Sequence, residues 1–251
     1  MGSMLERRAF FKKAGLFASV VALPARAVAG AAANSAVALG LVGAGGRGNW
    51  IADLFVKNTN ARIVALADLF DDCLEQTGQR FGVAANRRHK GLNAYKDLVA
   101  GELEGVLIES PPYCHPEQSM AAVEAKKHVF LAKPVAVDVP GCKTVIEAAA
   151  KAQGKLNFIV DFQTRATDFF IEAARRVHEG AIGAPVCGQV FYHTGRLGGR
   201  SASPAESRMR NWVFDKALSG DIIVELNVHV LDVCNWLLMG PPLAAYGTGG
   251  R

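Results

Sequence analysis

Residues 40–50 read GLVGAGGRGNW, with five glycines in the first nine positions, directly after the apolar run AVAL. Glycine loses more backbone freedom on folding than any other residue, so a cluster this dense marks a place where side chains are sterically excluded. The spacing Gly43-x-Gly45-x-x-Gly48 is that of a dinucleotide-binding turn. Its first glycine makes the turn, the second admits a pyrophosphate, and the third lets a helix pack on the strand. Gly46 and Arg47 fall in the same loop and are expected to share in cofactor binding. Glycine-rich turns match this pattern by chance, so its weight depends on what flanks it.

The flanks fit. AVALGLVG reads as a short buried strand, and GNWIADLFVKN has helical apolar spacing at Trp50, Ile51, Leu54 and Phe55. The next apolar run, ARIVALAD, ends at Asp68, 20 positions beyond Gly48, where a carboxylate is expected to accept hydrogen bonds from the adenosine ribose. An acid there repels a 2′-phosphate, which favours NAD over NADP. Asp68 can equally be read as the cap of a helix over LFDDCLEQTGQRFG.

Further along, EGVLIESPP, HVFLAKP and LNFIVDF read as strands, alternating with helical PEQSMAAVEAKKH and GCKTVIEAAAKAQGK. Strands that are apolar throughout and separated by helices predict a parallel sheet covered on both faces, an α/β doubly wound Rossmann architecture. Ligands of such sheets lie at the carboxyl ends of the strands. Gly43–Gly48, Asp68, Ser110–Pro112, Lys133 and Gln163 all fall at such ends.

ESPPYCHPE, LAKPVAVD and SGDIIVELNVHVLDVCNW together resemble three ordered motifs of the glucose-fructose oxidoreductase/inositol dehydrogenase (Gfo/Idh/MocA) family. These are its Thr-Pro…His segment, its Glu-Lys-Pro segment and its Asp-x-x-x-His helix, and the likeness runs from about residue 36 to the end. The resemblance implies a Rossmann domain over 37–160, then an α+β domain with an open-faced sheet starting within 161–251. It implies NAD as cofactor, bound with help from Ser110, Pro111, His115, Lys133 and Pro134. The substrate would be a sugar, glycoside or cyclitol. His229 would act as general base on its hydroxyl, Lys133 would stabilise the charge on that oxygen, and Glu225 would complete the catalytic group. Two positions depart from the family pattern. Ala132 stands where relatives carry the glutamate of Glu-Lys-Pro, removing a carboxylate near the nicotinamide ribose, and Glu225 stands where many carry aspartate.

The residues themselves leave alternatives. Glu225, His229 and Asp232 share one face of the expected helix at i, i+4, i+7, opposite an apolar stripe of Ile222, Leu226, Val230, Val233 and Leu237. Such a row can also be a solvated face. No metal site is expected. Arg165 and Asp232 are candidate substrate contacts, as are Arg196, Arg200, Arg210 and Trp212 in the glycine- and arginine-rich loop between VCGQVFYH, read as a strand, and the helix. Alternatives to a sugar or cyclitol dehydrogenase are an NAD-dependent glycoside hydrolase working through transient oxidation, and a non-catalytic dinucleotide-binding fragment.

Most of the net charge of +5 lies in residues 1–27, where Arg7, Arg8, Lys12, Lys13 and Arg26 face only Glu6. The rest is nearly neutral, which gives no footprint for nucleic acid. ERRAFFKKAGLFASVVALPARA resembles a twin-arginine export signal, with an apolar run too short to span a bilayer. The expected organisation is a signal over 1–27 and a linker over 28–36, with the mature protein periplasmic or otherwise exported and free of the membrane. The five cysteines show no metal-like spacing and read as small apolar residues. In the resembled family the second domain needs a larger sheet than VCGQVFYH and one final strand supply, so the sequence reads as shortened. A homo-oligomer is expected for a full-length protein.

Overall fold

Six strands form one sheet in the computed structural model, which describes residues 36–195 and 197–248. The expected signal peptide and Arg196 lie outside the described residues. The strands are β1 (Val37–Val42), β2 (Ala61–Asp68), β3 (Arg88–Lys90), β4 (Gly105–Ile108), β5 (His128–Ala132) and β6 (Phe158–Asp161). Their order is β3-β2-β1-β4-β5-β6, every pair parallel. The chain builds outward from β1 in one direction and then, after β3, in the other. The crevice between the ends of β1 and β4 is therefore the switch point at which ligands of such sheets bind.

Side chains of a strand alternate between faces, and here each face has its own core. Leu39 and Leu41 of β1 pack with Ile51 and Ala52 of α1 (Gly46–Asn58) and Leu74 of α2 (Asp71–Phe81). Val42 packs the other way, with Leu98 of α3 (Ala94–Ala100), Val123 of α4 (His115–Glu124) and Val145 of α5 (Val139–Ala152). Leu41, Leu66, Leu98, Leu107 and Leu131 are fully buried, and each stabilises the fold by about 1.5–3 kcal/mol relative to exposure. A sheet covered on both sides explains why these strands are apolar at nearly every position.

β3 and α3 carry little sequence signal. β3 is the polar triplet Arg88–Lys90 on the sheet edge, and it pairs only where Leu66–Asp68 continue the register. After β6 the described chain is helical or irregular: α6 (Asp168–His178), α7 (Pro204–Arg210), α8 (Lys216–Ser219), α9 (Asp221–Glu225) and α10 (Val228–Leu237). VCGQVFYH, expected as a strand, is neither strand nor helix. An extended segment becomes a strand only where a neighbour completes its ladder, and the described residues offer it none. Among the described residues no helix is long and apolar enough to cross a membrane.

Candidate active site

The β1–α1 loop is held from both sides. Gly43 N–H donates to Ala67 O at 2.9 Å, and Ala44 N–H donates to Asp68 Oδ2 at 2.7 Å. Asn49 Nδ2 and Thr77 Oγ1 each donate to Ala44 O at 2.9 Å. Gly43 has φ +89°, a left-handed conformation, and a Cβ there would lie 2.6 Å from the Glu109–Ser110 backbone. A Cβ on Gly48 would collide with the carbonyl oxygen of Gly43, whereas one on Gly45 would meet nothing within 4 Å. Gly43 and Gly48 are thus required by the fold, and Gly45 faces open space. α1 begins at this loop with Gly45 as N-cap and no side-chain cap. Its first intrahelical donor is Asn49 N–H, to Gly45 O. The preceding amides are left for an anion, with the positive end of the helix dipole behind them.

A cleft of about 400 Å³ runs from this loop across the strand ends. On the β2 side it is lined by Asp68, whose second oxygen accepts from Phe70 N–H at 2.9 Å. Asp68 is not the cap of α2; that position belongs to Phe70. Burial raises the Asp68 carboxyl against the lowering effect of those backbone amides. Arg210 also lines this side, but it is committed. Its guanidinium stacks 3.9 Å from the Phe70 ring, grips Asp72 at 2.8 and 3.1 Å and reaches Glu206 at 3.0 Å. Arg200 Nη2 lies 3.7 Å from where a Gly46 Cβ would stand, so its charge borders the anion site. Trp212 lines the same cleft.

On the β4 and β5 side the cleft is lined by Ser110, Pro111, Ala132 and Lys133, and then by Glu225 and His229. Lys133 Nζ is 2.9 Å from Glu225 Oε1 and also donates to the Glu225 carbonyl. Burial raises the Glu225 carboxyl while Lys133 pulls it down, and Oε2 has no hydrogen-bond partner among the described residues. His229 is 9 % exposed, stacks on Tyr192 at 5.4 Å and leaves Nδ1 without a hydrogen bond. Burial, then the charges of Lys133 and Arg47, lower its pKa below 6.5. Lys133 directly follows β5, whereas Glu225 and His229 lie about 90 residues further on, on the consecutive helices α9 and α10.

Several expectations need correction. The helix expected through Glu225 and His229 is broken at Leu226–Asn227, so the two residues sit on different helices. The row of ionisable groups is the inward face, while Ile222 of the supposed buried stripe is 58 % exposed. Arg165 and Asp232 do not line the cleft. They bind each other through paired contacts of 2.8 and 2.9 Å, with the guanidinium 5.1 Å from the Trp236 ring. His115 is fully buried away from the cleft, its Nδ1 2.8 Å from Pro134 O and its Nε2 2.8 Å from Ser110 O. It clasps the two loops that border the cleft and cannot reach a ligand. Pro134, which follows a cis peptide bond, serves the same clasp.

Glu109, at the end of β4, lines the cleft and was not singled out from the sequence. Its side chain is 0 % exposed, with Arg47 Nε 3.1 Å from Oε2. Arg47 also pairs with Asp161 at the end of β6. The only sequence signal is an acid closing the apolar run VLI.

Two family models cover most of the chain. Residues 37–161 match the oxidoreductase family with NAD-binding Rossmann fold, and residues 170–251 match the GFO/IDH/MocA C-terminal domain. The chain belongs to the Gfo/Idh/MocA family. Its Rossmann domain is the NAD-binding domain of that family. Among its relatives, the inositol 2-dehydrogenase/D-chiro-inositol 3-dehydrogenase of Shouchella clausii is 27% identical over 80% of this chain and 53% of its own. An inositol 2-dehydrogenase of Klebsiella pneumoniae is 27% identical over 80% and 54%. The chain thus spans about half the length of the curated relatives it matches. The scyllo-inositol dehydrogenase of Lactobacillus casei, solved with NAD(H) and scyllo-inositol, has TM-score 0.60 and 23% identity over 80% of this chain and 56% of its own. The aldose-aldose oxidoreductase of Caulobacter crescentus has TM-score 0.61 and 20% identity over 81% and 58%. These two likenesses speak for the fold.

Proposed function

We propose that the protein is an NAD-dependent oxidoreductase that moves a hydride between a hydroxyl-bearing carbon of a sugar, glycoside or cyclitol and the nicotinamide. One observation carries this reading: Lys133, Glu225 and His229 converge at the β5 end of a cleft whose other half is an uncapped, glycine-lined helix start. The fit to a dinucleotide is steric, because Gly45 leaves open space beside the free amides while its neighbours Gly43 and Gly48 tolerate no side chain.

When bound, NAD⁺ supplies the acceptor for the hydride leaving the substrate carbon. His229, neutral at physiological pH because its pKa is lowered, takes the proton from the hydroxyl on that carbon. The Lys133 ammonium lies next to that oxygen and stabilises the negative charge that develops as the proton leaves. Glu225 fixes Lys133 through Oε1, and its Oε2, without a partner among the described residues, accepts a second substrate hydroxyl and so sets which carbon faces the nicotinamide. Inositols and aldoses are the first candidates, since the relatives named above are named for inositol and one of the similar structures for aldoses.

The test has two parts. Denaturing the purified protein and weighing any released dinucleotide by mass spectrometry identifies a retained cofactor, and NAD⁺ titration covers an exchangeable one. NAD⁺ reduction is then followed with a panel of inositols and aldoses. Lys133→Met is expected to lower turnover by roughly two to three orders of magnitude while leaving dinucleotide affinity within about twofold. Unchanged turnover in that variant would remove Lys133 from the chemistry.

A further inference from the structure

Glu109 is a carboxylate in a place that ordinarily excludes one. It stands at the C-terminal end of β4 with its side chain fully buried; Arg47 Nε lies 3.1 Å from Oε2, Oε1 has no hydrogen-bond partner among the described residues, and burial pushes the carboxyl up to about 7. Buried carboxylates are expensive unless they are paired and fully hydrogen-bonded. Arg47, the cation that pairs with it among the described residues, approaches Oε2 alone and is shared with Asp161. The group nevertheless lines the ligand cleft. A polar side chain that is buried, unsatisfied and turned to a cleft is best explained by a donor that arrives with the ligand.

Its position says which part of the ligand. The free amides at the start of α1 mark the pyrophosphate, and Asp68 on β2 marks the half of the dinucleotide that lies over β2. The other half must cross the switch point and lie over β4 and β5. Ile108 pairs with Leu131 in the ladder, so Glu109 stands beside Ala132. The latter gives the cleft only a methyl group. Ser110 follows Glu109 directly, and Lys133 follows Ala132, so Glu109 sits between the pyrophosphate loop and the Lys133–His229 end. At that point a dinucleotide presents the hydroxyls of its second ribose.

We propose that Glu109 is a cofactor-binding residue whose carboxylate accepts hydrogen bonds from the hydroxyls of the nicotinamide-side ribose, doing from β4 what Ala132 on β5 has no group to do. The inference rests on the dinucleotide reading given above and adds to it the residue that anchors the second ribose. Arg47 then has a positioning role: it holds the carboxylate through Oε2 and leaves Oε1 for the ribose.

Calorimetric titrations of the whole chain with ADP, ADP-ribose and NAD⁺ test this, because only the last two carry the second ribose. In the unaltered protein ADP-ribose should bind tighter than ADP. In Glu109→Ala that advantage should shrink about tenfold or more, with NAD⁺ weakened to match, while ADP stays bound and so reports an intact fold. Glu109→Gln, which preserves shape, should lose part of the same advantage. An ADP-ribose advantage that survives in both variants would overturn the proposal and leave the dinucleotide reading standing. Equal weakening of all three ligands would also overturn it, since Glu109 would then matter only to the loop. Binding of none of the three to the unaltered protein would overturn both.

Discussion

A buried histidine with both nitrogens facing carbonyl oxygens poses a conflict that His115 resolves in favour of the neutral ring. The carbonyls of Ser110 and Pro134 favour the cation, but full burial dominates and the nearby Lys133 charge adds to it, pushing the pKa down to about 4. The unfolded chain takes up the proton near 6.5. Between those values the unfolded state binds more protons than the folded one, so stability from this group is complete above pH 6.5 and is lost as pH falls towards 4. Two and a half pH units of difference correspond to roughly 3 kcal/mol. Urea midpoints of the native chain should therefore fall more steeply between pH 6.5 and 4.5 than those of His115→Asn. That variant should also be about 1–3 kcal/mol less stable at pH 7.5, since one carbonyl loses its donor. Parallel pH profiles for the two proteins would show that the folded ring takes up its proton at the same pH as the unfolded chain. The resemblance of ESPPYCHPE to the family's Thr-Pro…His segment implied a cofactor contact for His115. Only the packing reveals that it clasps two loops instead.

Within the β1–α1 unit, the three fingerprint glycines do two separate jobs, and substitution separates them. Gly48→Ala drives a methyl group into the Gly43 carbonyl, so the helix cannot seat on the strand and the cost is expected to exceed about 3 kcal/mol. Gly45→Ala meets no protein atom, and φ −79° suits alanine, so thermal stability should change by less than about 0.5 kcal/mol. The new methyl group nevertheless stands at the helix start where a pyrophosphate must approach, and affinity for both ADP and NAD⁺ should fall at least tenfold. Melting curves and titrations of the two variants decide this; a Gly45→Ala protein that binds normally would place the phosphates elsewhere. Elements of this kind were legible because period and composition agree: β1, β2, β4, β5 and β6 are apolar runs set between helices with the right breakers. β3 was not legible, because three polar edge residues form a strand only by continuing the register of Leu66–Asp68. The break between α9 and α10 was hidden as well, since SGDIIVELNVHVLDVCNW keeps helical spacing across it. The cost is visible only in the backbone, where Leu226 and Asn227 end one helix and begin another. Glu109 escaped notice because one acid closing an apolar run looks like the edge of a loop.

Across the molecule, two regions of unequal solidity share the site. Residues 37–161 bury most of their apolar side chains on both faces of a sheet, whereas the described residues after the sheet bury few and expose many of theirs, including Phe191 at 67 % and Tyr246 at 94 %. Phe191 lies in the stretch expected as a strand, and the ladder it would need is absent among the described residues. Local opening is cheapest where few apolar contacts and few backbone hydrogen bonds must be broken. Limited digestion with chymotrypsin should therefore cut first after Phe191 and Tyr246, before any site within residues 37–161. The two sites should then part company when ligand is added. Tyr192, which follows Phe191, stacks on His229 and lines the cleft, so the segment carrying Phe191 is tied to whatever fills the site. Tyr246 lines no part of that cleft. Saturating NAD⁺ should slow the cut after Phe191 several-fold and leave the cut after Tyr246 unchanged. Equal protection at both sites would mean that ligand stiffens the whole second region. No protection at either would mean that the histidine end of the cleft closes only when the sugar or cyclitol arrives.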